Sequence, residues 1–236
     1  PRWSQTIRNE LVTINDDGSV ELNERYFGFV DGRRMTTQRF HDRFGGPPTP
    51  LGTPPTQREA DLAASIQVVL EDIMLGLARR AHANTGASSL CLAGGVALNC
   101  VANGRILRDG PFESLWVQPA AGDAGSALGA ALWAWHSVDG QQRTARSPDG
   151  LGGAFLGPGF ERAEVEAWLT SQDIPFRAIP DNEHRAALVA ERLSEGDLVG
   201  MCVGRMEFGP RALGHRSILA DPRSPTVQRR LNAKVK

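Results

Sequence analysis

The sequence predicts an α/β protein in two domains, and three observations predict it. Short apolar stretches alternate with helical patterns over residues 88–136, the alternation resumes over 160–203, and a polar, breaker-rich stretch at 138–150 separates the two. The expected division is therefore residues 1–137, a linker at 138–150, and 151–236. At 236 residues the chain exceeds the usual domain size of roughly 100 to 200 residues, which suits two small domains or one large one.

Composition narrows the function classes. With 41% hydrophobic and 22% charged residues, a disordered or fibrous class is excluded. A formal net charge of -1 provides no broad positive footprint for a phosphate backbone, so nucleic acid is not an expected partner. No stretch approaches the ~20 apolar residues of a membrane span, so no membrane partner is expected either. Cys91, Cys100 and Cys202 lack the paired spacing of a zinc site and the even count of a disulfide framework. They are expected as buried thiols of a cytoplasmic protein. Pro1-Arg2-Trp3-Ser4 is neither a signal peptide nor an initiation context, so further chain is expected before it.

Along the chain, Leu11 to Ile14 and Val20 to Leu22 flank Asn15-Asp16-Asp17-Gly18, the pattern of a surface hairpin whose turn uses Gly18 at positive φ. Residues 44–55 are crowded with Gly and Pro and read as an ordered loop. Thr56 with Glu59 forms a capping box. After it Leu62, Ile66, Val69, Ile73, Leu77 and Ala81 recur at helical spacing until Gly86. Buried strands are expected at 88–92 and 198–203, further strands at 114–118 and 175–179, and helices at 96–108, 124–136, 160–171, 184–195 and from Thr226 onward. The last of these has no stop signal, so the chain is expected to continue.

Three motifs point to chemistry. Gly94-Gly95 follows an apolar strand and precedes a helix, where residues without Cβ let backbone N–H groups approach a phosphate; the alternative is a tight turn that needs glycine only for its dihedrals. Asn99, one turn on, favours a ligand because its amide can reach back above the turn. A second strand-to-helix turn, Pro119 to Gly125, carries Asp123. That carboxylate is either a ligand for the metal accompanying a nucleotide or the cap of the next helix. The third motif, Gly204 to Ser217, gathers Arg205, Arg211, Arg216, His215 and Ser217 around glycines. Guanidinium forks suit phosphate or carboxylate, and the alternative is a solvated loop with ion pairs to Glu207 and Asp221. Gly209 to Gly214 has the glycine spacing of a P-loop, but His215-Arg216-Ser217 stands where Lys and Ser/Thr are required, which excludes it. His41 is read as a surface loop residue, and Trp133 and Trp135 as packing groups.

Taken together, Leu90 to Asn99 with Asn103, Trp116 to Gly129, and Gly204 to Arg223 strongly resemble the O-carbamoyltransferases of antibiotic and nodulation-factor biosynthesis. The likeness extends over nearly the whole chain, including Ile66 to Glu71. The resemblance implies the second half of an actin-like ATPase transfer domain, followed by the start of an α/β domain similar to threonylcarbamoyl-adenylate synthases. In such enzymes carbamoyl phosphate and ATP yield carbamoyl-adenylate, whose carbamoyl group passes to the hydroxyl of a small molecule. Gly94, Gly95, Val96 and Asn99 would hold the adenylate, and Asp123 would ligate a divalent metal: iron, manganese or magnesium. Arg205, Arg211, Arg216 and Ser217 would lie at the carbamoyl-phosphate or ATP end of the other centre, with Lys236 as a nucleotide contact. The family's histidine-rich metal motif is not found in these residues, so the segment alone is expected to be inactive. A phosphotransferase of the actin-like superfold and a non-catalytic nucleotide-binding module are the competing readings.

Overall fold

In the computed structural model, which describes residues 1–15, 18–29, 32, 34–50, 52–144 and 149–235, the chain opens on a short helix α1 (Ser4–Thr6) that runs into a π-turn (Ile7–Leu11). The hairpin expected next is present: β1 (Val12–Ile14) pairs antiparallel with β2 (Val20–Leu22), with Val12 opposite Leu22. Gly18 takes φ +83° and donates its N–H to the Asn15 carbonyl at 2.9 Å, although Asp16 and Asp17 of the turn lie outside the described residues. Ile14, Val20 and Leu22 are all exposed, as a surface hairpin requires.

A second short helix, α2 (Gln38–Arg43), corrects the reading of His41 as a loop residue. Phe40 packs on Phe44 with ring centroids 4.5 Å apart, and this rolls α2 onto the core and carries His41 inward. His41 is buried, with Nε2 at 3.0 Å from the Thr36 hydroxyl.

The breaker-rich loop is held by one side chain. Arg58 donates to the carbonyls of Phe44 at 2.8 Å, Gly46 at 2.5 Å and Pro47 at 2.9 Å, satisfying backbone acceptors that no strand or helix reaches. Arg58 sits in the first turn of α3 (Gln57–Thr85), whose capping box forms as expected: Thr56 N–H donates to Glu59 at 2.8 Å and Arg58 N–H to Thr56 Oγ1 at 3.3 Å. Gly86 ends the helix in the left-handed conformation, φ +63°.

This helix is the wall of two apolar clusters. Val69 meets Ile7, Leu11, Tyr26 and Phe44, whereas Met74 and Ala78 meet Ala102, Ile106 and Phe112. The buried stripe runs through Ser65, Val69, Met74, Leu75 and Ala78, so Ile66 and Leu77, expected inside, are exposed. Apolar residues occupy more of this helix surface than its neighbours cover.

Beyond α3, β3 (Ser89–Leu92), α4 (Cys100–Asp109) and β4 (Ser114–Val117) form a βαβ unit with parallel strands, Cys91 opposite Trp116. Leu90 and Leu92 pack on the second cluster, but Cys91 and Trp116 point the other way and are exposed. The stretch 88–92, expected as a buried strand, is therefore half-buried on one face and exposed on the other. Cys100 and Cys202 are exposed as well, so none of the three thiols is buried.

The chain divides spatially into two units, Pro1–Gln118 and Pro119–Lys236. The second begins with a turn leading into α5 (Asp123–Trp133) and a π-turn (Ala134–Val138), on which Trp133 and Trp135 stand exposed rather than packed. There follow α6 (Arg162–Ser171), α7 (Asn182–Ser194), β5 (Val199–Cys202), β6 (Arg216–Leu219) and α8 (Val227–Val235). Strands β5 and β6 are antiparallel, with Cys202 opposite Arg216 and Met201 opposite Ser217. Residues 175–179, expected as a strand, carry no regular structure: Pro175 and Pro180 bracket them and lack the N–H groups a ladder needs. Among the described residues of this unit, the buried apolar side chains are three alanines, Ala120, Ala121 and Ala154. No helix among the described residues is long and apolar enough to cross a membrane.

An ion network ties the first unit together. Asp72 on α3 pairs with Arg8 and, at 2.6 Å, with Arg105 on α4, and Arg105 also lies 3.6 Å from Glu71. Burial pushes the Asp72 carboxyl up, but hydrogen bonds from Arg8 and Arg105 outweigh it and leave its pKa lowered. Replacing Asp72 with Ala is expected to cost about 1–2 kcal/mol in urea denaturation at pH 7. Because the folded pKa is depressed, the contribution is present above the unfolded value of about 4 and is lost as pH falls through the folded one, so the difference between the two proteins should shrink as the pH is taken below that unfolded value. Equal midpoints at pH 7 would show that the network contributes nothing.

Candidate anion-binding sites

In the first unit the glycine turn keeps its space open. Gly94 adopts φ +93°, a conformation that disfavours other residues, and a Cβ at Gly94 or Gly95 would meet nothing within 4 Å. The helix expected from Val96 is split: a 3₁₀ turn (Gly95–Leu98) precedes Asn99, which caps α4. Gly95 and Val96 open that turn, and their N–H groups have no partner among the described residues. The backbone here is therefore open to an anion approaching from outside.

Asn99 is more engaged than the sequence suggests. Its Oδ1 accepts from Ala102 N–H at 3.1 Å and from Gln67 Nε2 at 3.2 Å, and its Nδ2 donates to Gln67 Oε1 at 2.8 Å. One N–H of Nδ2 is left for a ligand. Gln67, on α3 and 32 residues away, carries no local mark of this role. Close by, Asn103 donates Nδ2 to the Ala97 carbonyl at 2.7 Å, while its Oδ1 is buried without a hydrogen-bond partner among the described residues.

In the second unit, a Cβ at Gly122 would likewise meet nothing within 4 Å. Gly122, not Asp123, occupies the cap of α5, and Asp123 is the exposed first residue of the helix, favourably placed for the helix dipole. No group of three or more His, Cys, Asp or Glu able to hold a metal occurs among the described residues. A single carboxylate does not make a metal site, so these residues by themselves do not fit one.

The arginine-rich loop is built from backbone upward. Val203 N–H continues the β5–β6 ladder by donating to the His215 carbonyl at 2.8 Å. Gly157 N–H donates to Met206 at 3.0 Å, Met206 N–H to Pro158 at 2.9 Å and Phe208 N–H to Ala154 at 2.6 Å, so residues 154–158 flank the loop like a strand. Gly209, at φ +143°, lies against the Pro119–Ala120 turn, where a Cβ would come within 2.5 Å of the Pro119 carbonyl oxygen. The His215 ring stacks on Phe155 at 3.6 Å and donates Nδ1–H to the Arg205 carbonyl at 2.7 Å.

Two of the three arginines hold the backbone. Arg205 donates to Gly157 at 2.9 Å and Leu156 at 3.0 Å; Arg216 donates to Val203, His215 and Gly204, each at 3.1 Å. Neither they nor Arg211 pair with a carboxylate among the described residues, and Asp221 pairs instead with Arg223 at 2.8 Å. Glu207 takes backbone donors: Leu213 and His215 N–H at 2.8 Å and Arg216 N–H at 3.0 Å, all on Oε1. Partial burial pushes this carboxyl up, but those N–H groups outweigh it and hold its pKa down to about 2. Arg211, exposed at the loop's tip, has no partner among the described residues. Ser217 is half-buried on β6, and Lys236 lies outside the described residues.

Comparison with known proteins gives two family matches, "Carbamoyltransferase N-terminus" over residues 2–132 and "Carbamoyltransferase C-terminus" over residues 190–236. Protein sll1178 of Synechocystis sp., a protein without assigned function, is 47% identical over 239 residues, covering 100% of this chain and 38% of its own length. Nodulation protein NolO of Bradyrhizobium diazoefficiens is 44% identical over 188 residues, or 78% of this chain and 33% of its own length. Nodulation protein U of Sinorhizobium fredii is 33% identical, over 91% of this chain and 36% of its own length. The chain thus spans about a third of the length of these relatives.

Two substitutions separate the roles at Asn99. Asn99→Asp keeps an oxygen acceptor for the Ala102 N–H but loses the donor to Gln67, whereas Asn99→Ala loses both and should cost about 1 kcal/mol more in chemical denaturation. Indistinguishable variants would remove the capping role.

Proposed function

The chain belongs to the carbamoyltransferase family, and on that footing we propose that the protein moves a carbamoyl group from carbamoyl phosphate, with consumption of ATP, onto a hydroxyl of a small molecule. The route is carbamoyl-adenylate. Water cleaves carbamoyl phosphate to carbamate and phosphate, the carbamate oxygen attacks the α-phosphorus of ATP and displaces pyrophosphate to give the mixed anhydride, and attack by the acceptor hydroxyl then breaks the carbonyl–O bond and releases AMP. Because AMP is a good leaving group, the transfer step chiefly requires an oriented acceptor and a polarised carbonyl.

The observation that carries this reading is the loop from Gly204 to Ser217. It is fixed by backbone hydrogen bonds on both flanks, and its three guanidiniums have no carboxylate partner among the described residues. Positive charge fixed in this way favours an anion such as carbamoyl phosphate or a nucleotide phosphate. In this assignment Arg211 contacts the phosphate directly. Arg205 and Arg216 supply field and shape, Ser217 faces the same substrates, and Lys236 adds a nucleotide contact. The open turn at Gly94 and Gly95, with Val96 N–H and the remaining Asn99 N–H, holds the adenylate. Where a divalent metal takes part, iron, manganese or magnesium, Asp123 would be the ligand contributed from here. Activity in the cytoplasm, where ATP and carbamoyl phosphate are available, completes the proposal. The acceptor in this reading is a hydroxyl-bearing small molecule such as an antibiotic or a glycan.

The test is product analysis on the full-length protein given carbamoyl phosphate, ATP and a hydroxylated saccharide. AMP, pyrophosphate, phosphate and a carbamoylated acceptor are expected. ADP with a phosphorylated acceptor would identify a kinase instead, and nucleotide binding without turnover would identify a non-catalytic module. Arg211→Ala should raise KM for carbamoyl phosphate by about tenfold or more, the loss of one charge-assisted contact. The KM for acceptor should stay put.

A further inference from the structure

We propose that Glu207 is a positioning residue: by gathering the backbone N–H groups of Leu213, His215 and Arg216 onto one carboxylate oxygen, it closes the loop that presents Arg211 to the phosphate of the donor substrate. The proposal rests on the reading of the loop as the phosphate-binding element and deepens it.

The geometry has three parts. First, Glu207 and its three donors bracket the segment 208–212, so one side chain joins the two feet of a short loop. Its tip, Pro210-Arg211-Ala212, is exposed. Second, the N–H groups around Gly214, at φ +108°, converge as a concave donor set of the kind that binds anions. Here the chain's own carboxylate fills it. An external phosphate therefore cannot use these backbone donors while Glu207 stays in place, and recognition passes to side chains. Third, among those side chains Arg205 and Arg216 already donate to five carbonyl groups. Arg211 remains as the guanidinium whose donors are open among the described residues.

The carboxylate does two things at once. It removes the competing backbone site, and it fixes where the remaining cation stands. Because its pKa is held at about 2, it keeps its charge throughout the physiological range and the strap does not open with mild acid. A glutamine in its place retains an oxygen for the three N–H groups without the charge, whereas an alanine leaves the loop feet unjoined.

The experiment measures dissociation constants for inorganic phosphate and for carbamoyl phosphate by calorimetry on the full-length protein. The variants are Glu207→Ala, Glu207→Gln, Arg211→Ala and the double variant Glu207→Ala with Arg211→Ala. Amide exchange of residues 213–216 is followed in parallel. We expect Glu207→Ala to weaken anion binding by about tenfold and to deprotect the 213–216 amides. Glu207→Gln should restore both most of the way. In the double variant the Glu207 change should add little to that of Arg211, since a residue acting through another is not additive with it. Full additivity, a Gln variant no better than Ala, unchanged amide protection, or a wild-type protein that binds neither anion overturns the proposal. If phosphate binding follows the expected pattern but carbamoyl phosphate does not bind, the positioning role stands and the carbamoyl-donor reading fails.

Discussion

The constraint on which this structure depends is the satisfaction of backbone polar groups in stretches that neither helix nor strand reaches. Charged side chains do that work in both units. Arg58 takes three carbonyls of the Gly- and Pro-rich loop; Arg205 and Arg216 take five around the arginine-rich loop; Glu207 takes three N–H groups of the same loop. The cost of an unpaired buried backbone group is comparable to a lost hydrogen bond, so each of these side chains fixes several residues of chain that have little apolar contact of their own. That matters most in the second unit, where alanines are the buried apolar residues among those described.

Local signals were legible in the sequence, and contacts between distant residues were not. The capping box at Thr56 and Glu59, the left-handed stop at Gly86 and the turn at Gly18 each depend on a few adjacent residues, and each forms as read. The family, too, was legible, because its motifs are continuous runs around Gly94 and Gly209. Burial was not. Cys91 and Trp116 belong to apolar runs, yet one face of a two-stranded sheet stays uncovered, and periodicity alone does not say which face has a neighbour. Trp133 and Trp135 fail in the same way. The stretch 175–179 has strand composition but prolines at its flanks.

At the candidate sites the residue types were readable and their division of labour was not. Arginines clustered near glycines announce anion chemistry, but nothing in the sequence separates a guanidinium that holds carbonyls from one that is open. Arg205 reaches back 48 residues to Gly157, and no spacing rule announces that partner. Asn99 shows the same limit in the other unit: read as a ligand group, it is also the cap of α4 and the partner of Gln67. Structural and ligand-binding roles are compatible at one amide, since its second N–H remains available.

The position of Glu207 bears on why a loop rich in arginine also contains a carboxylate. Placed beside a guanidinium, that carboxylate would neutralise it and compete with substrate. Placed on backbone donors, it forms no ion pair with Arg205, Arg211 or Arg216 among the described residues, so the loop keeps a local excess of positive charge in a chain whose formal net charge is -1. The negative charge is held by fixed N–H dipoles, and the positive charges face carbonyls or solvent. Such a separation keeps an electrostatic preference for anions while holding the loop in one shape, which is the preorganisation that phosphate recognition by a single open arginine would require.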